Sequence, residues 1–291
     1  MTRTIWLNGQ TLEPGDAHAP FLAHALHYGT GVFEGIRSYQ TARGPAIFRL
    51  REHMDRMKRG ADALAMSLDA DRLGQVIRAH LADSGMGDAY IRPLAFYATG
   101  GLMLDVAALS PQVGVALIAS RSHLGDDAGR AGVRVTISSL ARISARSVPP
   151  LKLCGNYVNS ILAKLEATRR GFDEALLLDA AGAVCEATGE NLFVVRKGRV
   201  TACVHPDALP GITRASIVEL TGADEAPLTR DEMLSADEVF LTGTSAEVAP
   251  VCEIDGRRFA VGPITREAQV LYREAVTGLI PAKDSWLTYA A

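Results

Sequence analysis

Lys152 stands between two leucines in VPPLKLCGNYVNS, after a Pro-Pro pair and just before a helical pattern. An ammonium in apolar company is costly unless it is paired, neutralised or used covalently. One reading lays the lysine stem along the apolar surface and leaves its head in water. The other makes it a nucleophile, because an amine held in apolar surroundings loses proton affinity and attacks carbonyls.

The standard partner for such an amine is an aldehyde cofactor, pyridoxal 5′-phosphate, held as a Schiff base. That group makes three further demands. Its phosphate needs backbone N–H donors, a helix N-terminus or an arginine. Its pyridine nitrogen needs a carboxylate, and its ring oxygen needs a donor. ALPGITR offers Gly211, Ile212 and Thr213 at a helix start, and LTGTSAEV offers Gly243, Thr244 and Ser245 after a strand. CEATGEN carries Glu186 and Glu190 in an otherwise apolar stretch, and Tyr157 lies five residues past Lys152. Each feature also has a plain structural reading, as a helix start, a turn or a pair of edge-strand charges.

These residues need strands and helices to hold them. TIWLNGQTL reads as a hairpin turning at Asn8-Gly9. GVFEGIRSYQTARGPAIFRL reads as two strands around a Gly-Pro turn. The next 15 residues, from Leu50, read as a helix with Leu50, Met54, Met57 and Leu64 along one side. A second helix has Asp69 or Asp71 as N-cap and stops at Gly85, before the strands AYIRPLAFYA and VGVALIAS. Polar, Gly-rich residues 120–132 read as a linker. Beyond it comes the strand VRVTISS. A helix then runs over 156–170 with Tyr157, Val158, Ile161, Leu162 and Leu165 as its buried stripe. A meander of strands, the PGIT helix, two further strand segments and a last helix near 264–277 follow. The alternation predicts an α/β (α+β) fold with mixed sheets: a small domain over 1–121, a linker over 122–132 and a large domain over 133–291.

The chain has 291 residues, 48% hydrophobic and 22% charged, with a net charge of -3. No basic block calls for nucleic acid or an anionic membrane. No apolar leader core or stretch of about 18 uncharged apolar residues appears, so a cytoplasmic location is expected. The four cysteines sit at no zinc or C-x-x-C spacing, so no metal is expected. No dinucleotide or P-loop glycine pattern appears.

HALHYGTGVFEGIRSY, FRLREHMDRM, AYIRP, LKLCGNY, CEATGENLF, ALPGITR and ADEVFLTGTSAEVAPV occur in this order. Together they resemble the branched-chain amino acid aminotransferases, in the fold type IV (D-alanine aminotransferase-like) group of pyridoxal phosphate enzymes. The resemblance implies that Lys152 forms the internal aldimine and shuttles the Cα proton. It implies that Glu186 pairs with the pyridine nitrogen and Tyr157 with the ring oxygen. Arg56 would hold the phosphate with Gly211, Ile212, Thr213 and Thr244. The backbone at Ser245 and Ala246 would receive the substrate carboxylate. Phe33, Gly35, Arg37, Tyr90 and Arg92 would line the substrate pocket, and Tyr28 would enter from the partner of a homodimer or higher assembly. Glu190 reads as structural.

An apolar slot beside an arginine suits a branched aliphatic side chain in one half-reaction and the distal carboxylate of glutamate in the other. The implied activity moves nitrogen from L-amino acids to 2-oxoglutarate by a ping-pong cycle. The alternatives are a D-amino acid aminotransferase, an (R)-amine transaminase or an aminodeoxychorismate lyase of the same fold, and, in a different class, an inert scaffold. The chain departs from the family in IASRSHLGDD, where His123 stands near an expected tyrosine, and in GLMLDVAALSPQ. Both segments would flank the substrate.

Overall fold

The computed structural model describes residues 4–119 and 131–290; His123 and most of the expected linker lie outside them. In chain order, β1 (Ile5–Leu7) and β2 (Gln10–Leu12) precede α1 (His24–Tyr28), β3 (Gly31–Phe33), β4 (Ile36–Thr41) and β5 (Gly44–Phe48). Helices α2 (Leu50–Ala63) and α3 (Ala70–Ser84) lead to β6 (Ala89–Thr99) and β7 (Ser110–Ala119). Then come β8 (Val133–Ile137), a 3-10 turn at Cys154–Asn156, α4 (Tyr157–Arg169), β9 (Glu174–Leu178), β10 (Val184–Ala187), β11 (Asn191–Arg196) and β12 (Arg199–Cys203). The chain closes with α5 (Ile212–Thr221), β13 (Asp224–Ala226), α6 (Arg230–Leu234), β14 (Glu238–Gly243), β15 (Glu247–Ile254), β16 (Arg257–Arg258), α7 (Pro263–Val276) and β17 (Leu287–Tyr289).

These elements form two compact units. The first contains the described residues up to 119 together with 151–156 and 275–290; the second contains 131–150 and 157–274. Residues 151–156, expected with the large domain, therefore pack in the first unit. Their backbone explains why. Leu153 bridges Val32 of β3, the Phe33 N–H donates to the Lys152 carbonyl at 3.3 Å, and the Gly155 N–H donates to the Gly29 carbonyl at 3.2 Å.

The first unit's sheet runs β17-β5-β4-β6-β7-β1-β2, with β3 on β6, and all these pairings are antiparallel. Asn8 and Gly9 both take positive φ, which gives the twist a two-residue hairpin needs. Gly44 and Pro45, expected in a turn, open β5 instead; Pro45 lacks a donor, but its carbonyl accepts the Ala290 N–H at 3.0 Å. The tail strand β17 was not foreseen because three residues, LTY, carry no periodicity. Asp69 caps α3 by accepting the Arg72 N–H at 2.9 Å, and Gly85 ends it in the left-handed region.

The second unit's sheet is mixed, in the order β10-β9-β8-β15-β14-β11-β12-β13 with β16 on β15. Its pairs β8/β9, β8/β15 and β12/β13 are parallel. A cluster including Val135, Leu176, Leu192, Val194, Val239 and Leu241 is its core.

Helix α4 corrects the expected stripe. Val158, Ile161, Leu162 and Leu165 are 57%, 56%, 49% and 45% exposed, and Tyr157 is half-buried. The buried positions are Ser160, Ala163 and Ala167, and the two alanines cluster with Ala175 and Leu177 of β9. Small side chains let the helix approach the sheet closely, a requirement that apolar periodicity does not report. Ala163→Leu should therefore destabilise the protein by about 1–3 kcal/mol through overpacking, and Leu162→Ala by about 0.5 kcal/mol or less. Urea unfolding measures both; the opposite order would restore the sequence-based stripe.

Candidate active site

In the first unit, the pleat of β6 alternates buried Ala89, Ile91 and Ala95 with half-exposed Tyr90 and Arg92, so the last two share one face. Arg37 of β4 pairs across the strands with Tyr90 and joins that face. The Arg92 Nη2 donates to the Tyr90 hydroxyl at 2.7 Å. Gly35 is needed beneath it, since a Cβ there would lie 2.1 Å from that hydroxyl. The Arg92 guanidinium lies 4.7 Å from the centre of the Phe33 ring, and the Lys152 Nζ lies 4.9 Å from it. One aromatic ring thus lies beside two basic groups, an arrangement the ring quadrupole favours. Phe33, Gly35, Arg37, Tyr90, Arg92 and Lys152 are brought together within this unit. Tyr28 is 48% exposed, and its hydroxyl donates to the Leu102 carbonyl at 3.1 Å.

Arg56 comes from the buried side of α2, among Leu50, Met54 and Met57. Its Nε and Nη2 meet the two carboxylate oxygens of Glu34 at 2.7 and 2.8 Å, and His53 Nδ1 lies 2.8 Å from Glu34 Oε2. Burial alone would raise the Glu34 pKa, but Arg56 and then His53 outweigh it and hold the carboxyl far below the usual range. Burial pushes the His53 pKa down, against the opposite pull of Glu34. Neither Glu34 nor His53 was singled out in the sequence. The available signals were a carboxylate inside VFEGIR and a histidine one helical turn before Arg56.

In the second unit, Glu186 is buried on β10. Its Oε1 lies 2.8 Å from Arg142 Nε, and its Oε2 accepts the Leu209 N–H at 2.9 Å. Asn191 donates to the Leu209 carbonyl at 3.0 Å, so CEATGEN grips both sides of the ALPGITR loop. A Cβ on Gly211 would lie 1.9 Å from the Asn191 side-chain oxygen, which leaves glycine as the residue that fits. Gly211 is the N-cap of α5 with no side-chain cap, and a helix start of that kind offers its first N–H groups, here at Ile212 and Thr213, to an acceptor. Thr244, Ser245 and buried Ala246 form the turn from β14 to β15. That turn meets CEATGEN at Gly243, where a Cβ would lie 3.1 Å from the Gly189 carbonyl. The Leu209, Gly211 and Gly243 contacts thus bring the ALPGITR and LTGTSAEV turns against CEATGEN, and Tyr157 opens α4 in the same unit. Arg142 and Asn191 were missed because nothing local marks an arginine or asparagine as a clamp.

Each unit carries groups of the kind a phosphorylated aldehyde needs: the first an amine and a guanidinium, the second a helix start without a side-chain cap and a buried carboxylate.

Comparison with known proteins gives the family. The amino-transferase class IV family model matches residues 31–254. The branched-chain-amino-acid aminotransferase of Pseudomonas aeruginosa is 39% identical, over 98% of this chain and 96% of that protein. The crystal structure of a T.th. branched-chain amino acid aminotransferase, complexed with N-(5′-phosphopyridoxyl)-L-glutamate, superposes with a TM-score of 0.94 at 43% identity, covering 100% of this chain and 99% of that one. The branched-chain aminotransferase of the archaeon Thermoproteus uzoniensis, crystallised with norvaline, gives 0.93 at 36% identity over 100% of both chains. The chain belongs to the branched-chain-amino-acid aminotransferase family, within the amino-transferases of class IV.

Proposed function

We propose that this aminotransferase moves the amino group of branched-chain and related L-amino acids to 2-oxoglutarate, in two half-reactions of a ping-pong cycle on one pyridoxal 5′-phosphate. The observation that carries this reading is the Phe33 ring that both Lys152 and Arg92 approach. It sets an apolar wall and a guanidinium beside one amine, which suits an aliphatic side chain and a distal carboxylate in turn. The ligands named for the two solved relatives, a glutamate adduct and norvaline, are one of each kind.

Lys152 would hold the cofactor aldehyde through its ε-nitrogen, and its amine would carry the proton that leaves the substrate Cα. The bound cofactor supplies an electron sink for the pair left at Cα. Glu186 would pair with the pyridine nitrogen, and Arg142 and the Leu209 N–H keep its carboxylate aimed. Tyr157 donates to the ring oxygen. Arg56, Gly211, Ile212, Thr213 and Thr244 take the phosphate, and the backbone at Ser245 and Ala246 takes the α-carboxylate. Arg37, Tyr90 and Gly35 shape the pocket around Phe33 and Arg92. The working form is a cytoplasmic homodimer in which Tyr28 serves the neighbouring protomer. Exposed Phe21, Leu22, Leu26, Met103 and Leu104 support a covered apolar surface on the same unit. Among the described residues, no helix is long and apolar enough to cross a membrane.

Mixing the pyridoxal form with single amines and following its absorbance tests the substrate class. L-Leucine and L-glutamate should bleach it, whereas D-leucine, D-alanine and an (R)-amine should not. Bleaching by the D-acids or the (R)-amine alone would move the protein to another activity of the same fold. Arg92→Ala should raise KM for L-glutamate by about 10–100-fold, the worth of one charged hydrogen bond, and leave L-leucine within a few-fold. Equal losses for both substrates would remove the arginine from carboxylate recognition.

A further inference from the structure

The buried carboxylate of Glu34 is unused by the roles above. A fully buried ion pair adds little to stability compared with apolar residues of similar size, so its presence calls for another explanation. Glu34 meets Arg56 in a two-point fork at 2.7 and 2.8 Å, the geometry that fixes both the plane and the direction of a guanidinium. His53 adds a third contact, at 2.8 Å, from the same face of α2. The backbone on either side of Glu34 is equally committed. Its own N–H donates to the Pro93 carbonyl of β6 at 3.0 Å, and the N–H of Phe33 donates to the Lys152 carbonyl. Helix α2 closes on the same place through Gly60, where a Cβ would lie 3.1 Å from Val32 and 3.6 Å from Leu153. Three residues, 33–35, therefore join the arginine helix, the pocket strand and the lysine segment within one unit.

We propose that Glu34, supported by His53, is the positioning residue that holds Arg56 at a set distance and angle from Lys152, so that one end of the cofactor is gripped while the other reaches the amine. This rests on the phosphate role given to Arg56 above. The Nε/Nη2 edge of Arg56 faces Glu34, which directs the Nη1 end away from the carboxylate. Loss of the fork leaves Arg56 in place and frees its orientation.

The test is the affinity of the cofactor-stripped full-length protein for pyridoxal 5′-phosphate and for pyridoxal, which lacks the phosphate, read by absorbance titration. Glu34→Gln should weaken pyridoxal phosphate at least tenfold and leave pyridoxal within twofold. The double variant with Arg56→Ala should be no weaker than Arg56→Ala alone. Equal losses for the two ligands, or fully additive losses in the double variant, would overturn the positioning role. If Glu34→Gln does not fold, Glu34→Asp keeps the charge but shortens the reach, and it should lower the same affinity ratio; an unchanged ratio overturns the proposal. An Arg56→Ala protein with the wild-type ratio would overturn the phosphate role itself, whereas a lowered ratio there with none in the Glu34 variants overturns the positioning role alone.

Discussion

The site depends on a close approach of two backbones. Gly29 sits in the left-handed region against Gly155, and a Cβ on Gly29 would come within 2.7 Å of the Gly155 Cα. That approach lets residues 151–156 lie along β3, fastened at Val32, Phe33 and Gly29. Backbone bonds of this kind leave little freedom to the residue between them. Lys152 is thus set beside Phe33 by its main chain. The leucine after it now has a purpose: Leu153 is buried on Val32 and α2, and Lys152, the residue before, brings its amine to the aromatic ring.

Charge is organised around that amine with few groups. Arg92 and Lys152 share Phe33, and the Arg92 direction is set by the Tyr90 hydroxyl over Gly35. Two basic groups beside one ring make a place that favours an arriving carboxylate. The second unit repeats the principle with the sign reversed, where Arg142 and a backbone N–H face the buried carboxylate of Glu186. In both units a residue of plain sequence appearance orients one of evident chemistry.

What was legible in the sequence follows from distance along the chain. The Asn8-Gly9 hairpin and the Asp69 and Gly85 caps rest on residues within a few positions of one another, and the structure has them as read. The alternation of elements gave the fold class, and the seven ordered motifs gave the family. Helix α4 was misread because its apolar residues and its small residues lie on different faces, and only the strand beneath decides which face is buried. Glu34 and Arg56 are 22 residues apart, and Arg142 and Glu186 are 44 apart, so their pairing exists only once the chain has folded. The tail was illegible for the same reason: Leu287–Tyr289 is a strand because β5 is there to receive it.

The chain has five lysines. Lys58 is paired with Asp62, Lys164 with Glu174, and Lys283 lies over Trp286, while Lys197 occupies a turn. Borohydride reduction of the holoprotein, followed by peptide mapping, should find the phosphopyridoxyl mark on the peptide containing Lys152 and on no other. A mark on any of the other four, or none at all, would contradict the central claim.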